Sequence, residues 1–213
     1  MQVLWLASYY PNPYQPENNV DIKTAAKALS KLIPVDVIHV VQLGSLKQSK
    51  AGSIHDKNDN YREMIYSFNF KPWGIKFIDA FRYKILYQSY YNTLLNNYVE
   101  QFGKPTIIHV HEPLLAGIIA KKKVITWEAA YYVSMYKRNF DMQQLQNGYI
   151  KQRINGVLQN ALAVFTDNEQ IVDKIASIFG IYGVRIVQSN QQLDNETALE
   201  YFNLYKIIET GNN

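Results

Sequence analysis

The chain of 213 residues contains no cysteine, which excludes a disulfide framework, a thiolate metal site and a cysteine nucleophile. It also lacks long apolar runs, since stretches such as 113–120 are far shorter than the roughly 18 residues that a membrane-spanning helix needs. No basic leader precedes the first apolar run, so no signal peptide is predicted. These absences predict a soluble, cytoplasmic protein. A hydrophobic content of 47% in turn excludes an intrinsically disordered chain.

Charge is distributed unevenly along the chain. Residues 1–125 carry 15 Lys and Arg against 9 Asp and Glu, a net of +6, and residues 126–213 carry 7 against 9, a net of −2, which together give the overall +4. A basic first half suits an anionic partner such as a phosphorylated ligand or an acidic lipid headgroup. The basic residues are not interleaved with aromatic residues in a recognition motif, so no nucleic acid is predicted as a partner.

Short apolar runs alternate with helical patterns from one end of the chain to the other. This alternation predicts an α/β fold with a doubly wound, mostly parallel, Rossmann-like sheet of about seven strands. Residues 42–60 are polar and are predicted to form a surface loop. The predicted strands are 2–7, 35–41, 61–70, 106–110, 124–127, 161–166 and 184–187. The predicted helices are 21–31 (capped by Asp21), 74–102, 114–120, one within 141–160, 168–179 (capped by Asp167) and 196–209.

Two of the predicted helices carry apolar stripes that we expect to face the core. In the long helix the stripe consists of Phe77, Phe81, Ile85, Tyr91 and Leu95. In the last helix it consists of Leu199, Phe202, Tyr205 and Ile208.

The loop after the first strand argues against a dinucleotide cofactor. It reads SYYPNPYQPENN over residues 8–19, with three prolines, three tyrosines and no glycine. A nicotinamide or flavin cofactor needs a glycine-rich turn at this place, and no P-loop pattern occurs either. No cofactor is therefore predicted.

His109 and His111 lie two residues apart at the end of the fourth predicted strand, so they share one face of it, and Glu112 follows them. An HxH pair is one way to begin a zinc site, but four histidines, no cysteine and no second ligand cluster argue against a metal. The alternatives are a histidine whose ring is hydrogen-bonded to the backbone at a strand end, and polar side chains that contact a ligand.

Several segments, in order, resemble family-4 glycosyltransferases, which have the GT-B fold. LWLASYYPNPYQPEN resembles the amino-terminal segment of that family, and IIHVHEPLLAGIIA resembles its fourth strand with the following helix. KVITWEAAYY resembles its fifth strand and loop, and QNALAVFTDNEQIVDKIASIFGI resembles a later strand and helix. The resemblance covers residues 1–190.

The resemblance implies a division of the chain into two parts. Enzymes of this family have two Rossmann-like domains, of which the first holds the acceptor and the second holds the nucleotide-sugar through a paired-glutamate motif. Residues 1–190 look like the first domain, and residues 191–213 look like the final helix that crosses back onto it. The donor domain has no counterpart between them.

The resemblance therefore implies the acceptor-side domain of a retaining, metal-independent glycosyltransferase of polysaccharide biosynthesis. Its acceptor would be a sugar or a lipid-linked sugar, and the domain would be inactive alone. One alternative is the acceptor subunit of a two-chain transferase, completed by a separate donor-binding chain. Another is an interaction domain without sugar chemistry.

The candidate site residues follow from the loops at the ends of the predicted strands. Glu128 stands where relatives often place a histidine facing the acceptor, and a carboxylate there can act as a base. Asn18 and Asn19 stand where the family usually has glycine. Aromatic faces stack on sugar rings while amides and carboxylates bind hydroxyl groups, although the tyrosines could equally pack against one another. The acceptor-binding candidates are Tyr9, Tyr10, Asn12, Tyr14, Asn18, Asn19, His111, Glu112, Trp127, Tyr131 and Tyr132.

Aromatic and basic residues are mixed in the segment FNFKPWGIKF, residues 68–77. Phe70, Trp73 and Phe77 could reach a membrane interface while Lys71 and Lys76 meet anionic headgroups. The segment thus predicts peripheral contact with the inner face of a membrane. The alternative is an ordinary strand-to-helix connection whose aromatic residues lie in the core.

Overall fold

The computed structural model describes residues 1–43, 52–58, 60–140, 145–187 and 194–209; for 52–58, 138–139, 194 and 208–209 only the backbone is described. Its strands are β1 (Val3–Ala7), β2 (Val35–Leu43), β3 (Gly52–Asn58), β4 (Tyr61–Asn69), β5 (Ile107–His111), β6 (Ala130–Met135), β7 (Ala163–Thr166) and β8 (Arg185–Ile186). Its helices are α1 (Val20–Leu29), α2 (Lys76–Phe102), α3 (Ile118–Trp127), α4 (Gly148–Leu158), α5 (Glu169–Phe179) and α6 (Asp194–Glu209), with a π-helical turn (Pro113–Gly117) and a 3₁₀ turn (Lys137–Phe140).

The eight described strands form one sheet in the order β3-β4-β2-β1-β5-β6-β7-β8. Every neighbouring pair is parallel except β3 and β4, which are antiparallel. The predicted doubly wound, mostly parallel α/β fold is therefore confirmed. The strand β3 was not predicted, because its sequence GSIHDKN is polar and reads as loop. An edge strand has one free side and tolerates such residues.

The fifth predicted strand was wrong. Residues 124–127 form the last turn of α3, and the strand lies at Ala130–Met135, paired in parallel with β5 from Ile107↔Ala130 onward. The run AYYVSM is almost wholly buried, whereas Ile125 is 74% exposed. A central strand covered on both faces needs a continuous apolar run, which AYYVSM supplies and the lysine-flanked VITW does not.

Helices cover both faces of the sheet. Because side chains alternate across a strand, Leu4 and Leu6 enter the core beneath α2 to α5, while Val3, Trp5 and Ala7 enter the core beneath α1 and α6. Both cores draw on β1, which lies near the centre of the sheet. The central strands are thus held from both sides, and their ends are fixed relative to one another.

The buried face of α6 shares Tyr205 and part of Phe202 with the predicted stripe but is otherwise different. Ala198, Tyr201 and Tyr205 are buried, whereas Leu199 is 48% exposed and the side chain of Ile208 lies outside the described part of the chain. Phe202 is only partly buried. A 3-3-3 spacing drifts around a helix of 3.6 residues per turn, and the i, i+4 pair of tyrosines sets the buried side instead.

Helix α2 is buried along one side from Tyr87 onward, whereas Asp79 is the only buried residue of its first turns. Tyr91 and Leu95 lie in the core as predicted, but Phe77, Phe81 and Ile85 are exposed. With 27 residues α2 is about 40 Å long, while a nine-residue strand such as β2 spans about 30 Å. The first turns of α2 therefore extend past the strands that they could pack on.

Two helices begin differently from the prediction. Helix α5 is capped by Asn168 rather than Asp167, since the Asn168 side chain accepts a 2.8 Å hydrogen bond from the Gln170 N–H. Helix α1 begins at Val20 after Asn19, whose φ of 54° is left-handed. That conformation favours glycine and is tolerated by asparagine, the residue that this chain has there.

None of the helices in the described ranges combines the length and the apolar character that crossing a bilayer requires.

Candidate functional site

Two cavities open at the carboxyl edge of the sheet, one on each face. Strand β5 ends between them, so that the consecutive residues His111 and Glu112 line different cavities. We call them the α1–α6 cavity and the α2–α4 cavity after the helices beside them. In a doubly wound sheet this edge is where ligands bind.

The α1–α6 cavity has a volume of about 230 Å³. Its polar wall comes from the carboxyl ends of β5, β6 and β7, which supply an imidazole, hydroxyl groups and a carboxylate. Its remaining walls come from the start of α1 and the first turns of α6. The lining residues are Asn19, Asp21, Ile22, Ala25, His111, Ser134, Tyr136, Lys137, Thr166, Asp167, Val187, Thr197 and Tyr201.

A buried chain of hydrogen bonds lies behind this cavity. The Trp5 indole N–H donates to Tyr205 Oη at 3.2 Å, Tyr205 Oη lies 2.5 Å from His109 Nδ1, and His109 Nε2 lies 2.8 Å from Ser134 Oγ. The Trp5 N–H, the Tyr205 O–H and the His109 ring N–H all have acceptors when Tyr205 donates to Nδ1 and His109 donates from Nε2 to Ser134 Oγ. The chain ties α6 to β1, β5 and β6.

Burial keeps the titratable groups of this hydrogen-bond chain neutral. Burial, with a smaller contribution from His111, holds the pKa of His109 well below its usual range, so the ring is neutral. Burial likewise raises the pKa of Tyr205 well above its ordinary value. The ring of His109 is thus hydrogen-bonded within the fold, but by the side chains of Tyr205 and Ser134 and not by the backbone as predicted.

His111 stands at the cavity wall. Its Nδ1 lies 2.7 Å from Tyr136 Oη, and its ring stacks on His109 with centroids 4.3 Å apart. Among the described residues no group of three or more histidine, aspartate and glutamate side chains is placed to hold a metal ion. The imidazole and the Tyr136 hydroxyl group therefore supply a polar surface for a ligand.

The α2–α4 cavity is larger, about 340 Å³, and more aromatic. Glu112 enters it from the end of β5, with a φ of 96° that is strained for a non-glycine residue and a backbone N–H that donates to Ser134 O at 3.0 Å. The lining residues are Tyr9, Tyr83, Lys84, Tyr87, Gln88, Glu112, Leu114, Leu115, Ile118, Tyr149, Ile150 and Arg153.

Positive charge marks the rim of this second cavity. The guanidinium of Arg153 lies 5.4 Å from the Tyr149 ring centre, and the Lys84 ammonium lies 6.0 Å from it. Arg153 first, and then Lys84, lower the pKa of the exposed Tyr149. Inside the cavity, burial raises the pKa of Tyr83 and Tyr87. The cavity combines aromatic walls with two cations.

The loop after β1 contributes fewer of its residues than expected. Tyr9, 38% exposed, lines the α2–α4 cavity. Tyr10 is fully buried, and its hydroxyl group lies 2.6 Å from the hydroxyl group of Tyr61 and donates to the carboxylate of Glu63 at 3.0 Å. Asn12 is also buried, and it folds the loop by donating to Tyr10 O and accepting from backbone N–H groups. The structure therefore places Tyr10 and Asn12 inside the fold.

The same loop leaves Tyr14 exposed, at 44%, and Asn18 donates to the Gln15 side chain at 3.2 Å. Neither residue lines a cavity described above. Asn19, by contrast, lines the α1–α6 cavity. Ligand contacts by these three residues stay a prediction.

The four candidates around the fifth predicted strand lie away from the carboxyl edge. Trp127 and Glu128 end α3 and precede β6, which places them at the amino edge of the sheet. Tyr131 and Tyr132 are buried within β6. Glu128 was selected because a strand was expected to end before it, and that premise is wrong.

The prediction missed the residues at the true end of β6 and at the end of β7. Ser134 and Tyr136 would have followed from placing the strand at AYYVSM, and Thr166 and Asp167 lie at the strand end that was predicted correctly. Arg153 and the lining residues of α2 carry no local signal, since only packing brings their helices to this edge.

Comparison with known proteins gives structural likeness only, since no protein-family model and no curated protein matches the chain. The chain is similar to a solved chain of sucrose-phosphate synthase from Thermosynechococcus elongatus, with 14% identity, a TM-score of 0.61, and coverage of 97% of this chain and 99% of that chain.

Two further solved structures are similar over part of their length. One is a UGT of Arabidopsis thaliana complexed with UDP (10% identity, TM-score 0.49, 88% of this chain and 51% of that chain). The other is trehalose-6-phosphate synthase from E. coli bound with UDP-2-fluoro glucose (10% identity, TM-score 0.47, 84% of this chain and 42% of that chain).

The likeness to the sucrose-phosphate synthase chain shows a Rossmann-like fold of the kind found in a GT-B half-domain. The likeness to the sucrose-phosphate synthase chain supports this assignment along nearly the whole sequence.

Proposed function

We propose that this chain is the acceptor-binding half of a glycosyltransferase and that it holds a sugar-containing acceptor at the carboxyl edge of its sheet. The observation that carries the proposal is the α1–α6 cavity, which lies at this edge of a glycosyltransferase-like fold and is lined by the ends of three parallel strands. Ligands of doubly wound folds bind at such an edge because the loops after the strands converge there.

The chemistry of the α1–α6 cavity suits sugar hydroxyl groups. Ser134, Tyr136 and Thr166 carry hydroxyl groups, which both donate and accept, while Asp167 accepts and His111 offers ring nitrogens. The volume of about 230 Å³ lies below the range of about 300–1,000 Å³ typical of drug-sized ligand sites. A single sugar unit is thus the expected occupant.

We infer that the nucleotide-sugar is held by another domain or another chain. All eight described strands belong to one sheet, so the described residues provide one of the two Rossmann-like halves that a GT-B enzyme uses. The sucrose-phosphate synthase chain that covers this sequence end to end is itself described by two separated ranges, 27–220 and 406–426. Both observations support the proposal that this chain is an acceptor-binding half, which consists of a long first segment followed by a short terminal helix.

Ligand-observed NMR tests acceptor binding. Saturation transfer from the protein to glucose, galactose, mannose and their 6-phosphates should identify at least one binder, and the double variant Thr166→Val/Asp167→Asn should abolish the signal. Asp173→Asn, an exposed change on α5, is the matched control and should leave it intact. The proposal fails if no sugar receives saturation, or if the control loses the signal together with the site variant.

A transfer assay tests the inferred division of labour. The purified chain supplied with a nucleotide-sugar and an acceptor should show no transfer, with or without divalent metal, because the group that holds the diphosphate leaving group is inferred to lie on another domain or chain. Turnover that Glu128→Gln abolishes would overturn both the inactivity of the chain and the placement of the site.

A further inference from the structure

An exposed apolar surface lies at the start of α2. Its members are Trp73, Ile75, Phe77, Phe81 and Ile85, which are 67%, 55%, 83%, 57% and 49% exposed. We call this set the α2 stripe. Phe77, Phe81 and Ile85 are spaced i, i+4, i+8 and so form one row along the helix. Single exposed apolar residues are ordinary, but a contiguous row indicates a contact surface.

The charge around the α2 stripe is positive. Residues 70–88 contain four basic residues (Lys71, Lys76, Arg82 and Lys84) and one acid, Asp79, which gives a net of +3. Asp79 is already engaged, since it accepts hydrogen bonds from the N–H groups of Trp73 (2.7 Å) and Gly74 (2.8 Å) and pairs with Arg82 at 3.3 Å. Pairing of two such surfaces would bring like charges together, so a second copy of this chain is a poor partner.

The connection before α2 is held in a fixed shape. The Arg82 guanidinium lies 3.7 Å from the centre of the Trp73 ring, and Gly74 takes a φ of 90° that lets the chain turn into the helix. Together with the Asp79 hydrogen bonds, these contacts present Trp73 outward with much of its ring accessible. Tryptophan is enriched where proteins meet the membrane–water interface.

We propose that the α2 stripe docks on a membrane rich in anionic phospholipids. Trp73 and Phe77 enter the interfacial layer, and Lys71 and Lys76 contact the headgroups. Phe70, which the sequence also offered for this role, is buried in the core and takes no part. Lys84 follows Phe81 by three residues and lines the α2–α4 cavity, so docking brings that cavity to the bilayer surface. The inference is independent of whether the α1–α6 cavity binds a sugar.

Vesicle co-sedimentation and tryptophan fluorescence test this docking with the full chain. Binding to vesicles of phosphatidylglycerol and phosphatidylcholine is expected, with little binding to phosphatidylcholine alone and loss in high salt. Trp5 and Trp127 are buried, so a blue shift on adding anionic vesicles should come from Trp73 and disappear in Trp73→Phe.

Two variants separate the apolar and the charged contributions. Trp73→Ser/Phe77→Ser removes exposed apolar groups. Lys71→Glu/Lys76→Glu should weaken binding by at least about 25-fold, since each basic residue near an anionic surface contributes roughly fivefold and glutamate is in addition repelled. The control Lys122→Glu/Ile125→Ser changes an exposed lysine and an exposed isoleucine at the far end of α3 and should bind normally. Circular dichroism confirms that each variant is folded.

Three results would overturn the proposal. The first is failure to bind anionic vesicles, and the second is an equal loss of binding in the control variant. The third is a dimer in sedimentation velocity that Phe77→Ser dissociates, which would assign the stripe to a second copy of the chain.

Discussion

Replacing Tyr205 with phenylalanine should destabilise the protein strongly although the change removes a single oxygen atom. In the native chain Tyr205 Oη accepts from the Trp5 indole N–H and contacts His109 Nδ1, and all three side chains are fully buried. Phenylalanine fills the same space but leaves both polar groups without this partner. A buried polar group that loses its partner costs about 1–3 kcal/mol, so the pair predicts a loss of roughly 2–6 kcal/mol in the free energy of unfolding.

Urea denaturation measures this loss. For a domain with a denaturant slope near 3 kcal/mol per molar urea, the expected loss lowers the midpoint by about 0.7–2 M. Leu199→Ala on the same helix is the control, because Leu199 is 48% exposed and its truncation should change stability by no more than about 0.5 kcal/mol. An unchanged midpoint in Tyr205→Phe would refute the inferred role of the buried hydrogen-bond chain, and an equal shift in Leu199→Ala would show that α6 is sensitive to any substitution.

Three further predictions concern pH, a buried ion pair and the last helix. Burial lowers the pKa of His39 to about 4 and that of His109 well below its usual range, so the unfolded state binds protons that the native state does not as the pH falls from about 6.5 to 4. The free energy of unfolding should therefore be constant above this window and fall within it, with His39 alone contributing about 3 kcal/mol. Urea midpoints that depend on pH just as steeply in His39→Gln would contradict this. Asp36→Asn weakens a bidentate pair with Arg62 (2.5 and 2.7 Å) and the hydrogen bond from Tyr98 (2.6 Å). Because Arg62 is partly exposed, the free energy of unfolding should fall by about 2–4 kcal/mol in urea denaturation. A decrease no larger than that of Asp173→Asn would argue against this ion pair as a source of stability. Deleting residues 195–213 uncovers Trp5 and Phe165 and should lower the melting temperature markedly by calorimetry, whereas an unchanged melting curve would show that the helix adds no stability.

The fold was predictable because the chain repeats strong local signals. The apolar runs at Val3–Ala7 and Val35–Leu43 and the helix ending at Gly180 are recognisable from composition alone, since buried strands and capped helices leave marks within a few residues. The left-handed turn at Asn19 also agrees with its residue type. Each of these features is set by residues that are close together in the sequence, so it can be predicted without the tertiary structure.

The site was less predictable, because its position depends on which of two apolar runs enters the sheet. VITW and AYYVSM are both apolar runs of strand length, and two residues, of which Glu128 is the first, lie between them. If VITW is the strand, Glu128 follows it at the carboxyl edge of the sheet. Because AYYVSM is the strand, Glu128 precedes it at the amino edge. A strand covered on both faces has no alternation by which to place it. The length of the uncharged run favours AYYVSM, and pairing with β5, through Ile107↔Ala130, places it in the sheet.

The sequence by itself determined the alternating α/β order, most helix ends and the absence of a glycine-rich cofactor turn. The tertiary structure alone decided which face of α6 is buried, that Tyr205 bridges Trp5 and His109, and that the first turns of α2 remain exposed. The α1–α6 cavity brings together Asn19, His111, Thr166 and Thr197, which are far apart in the sequence. Local patterns record which side chains avoid water, but the partner that covers each one is set by long-range packing.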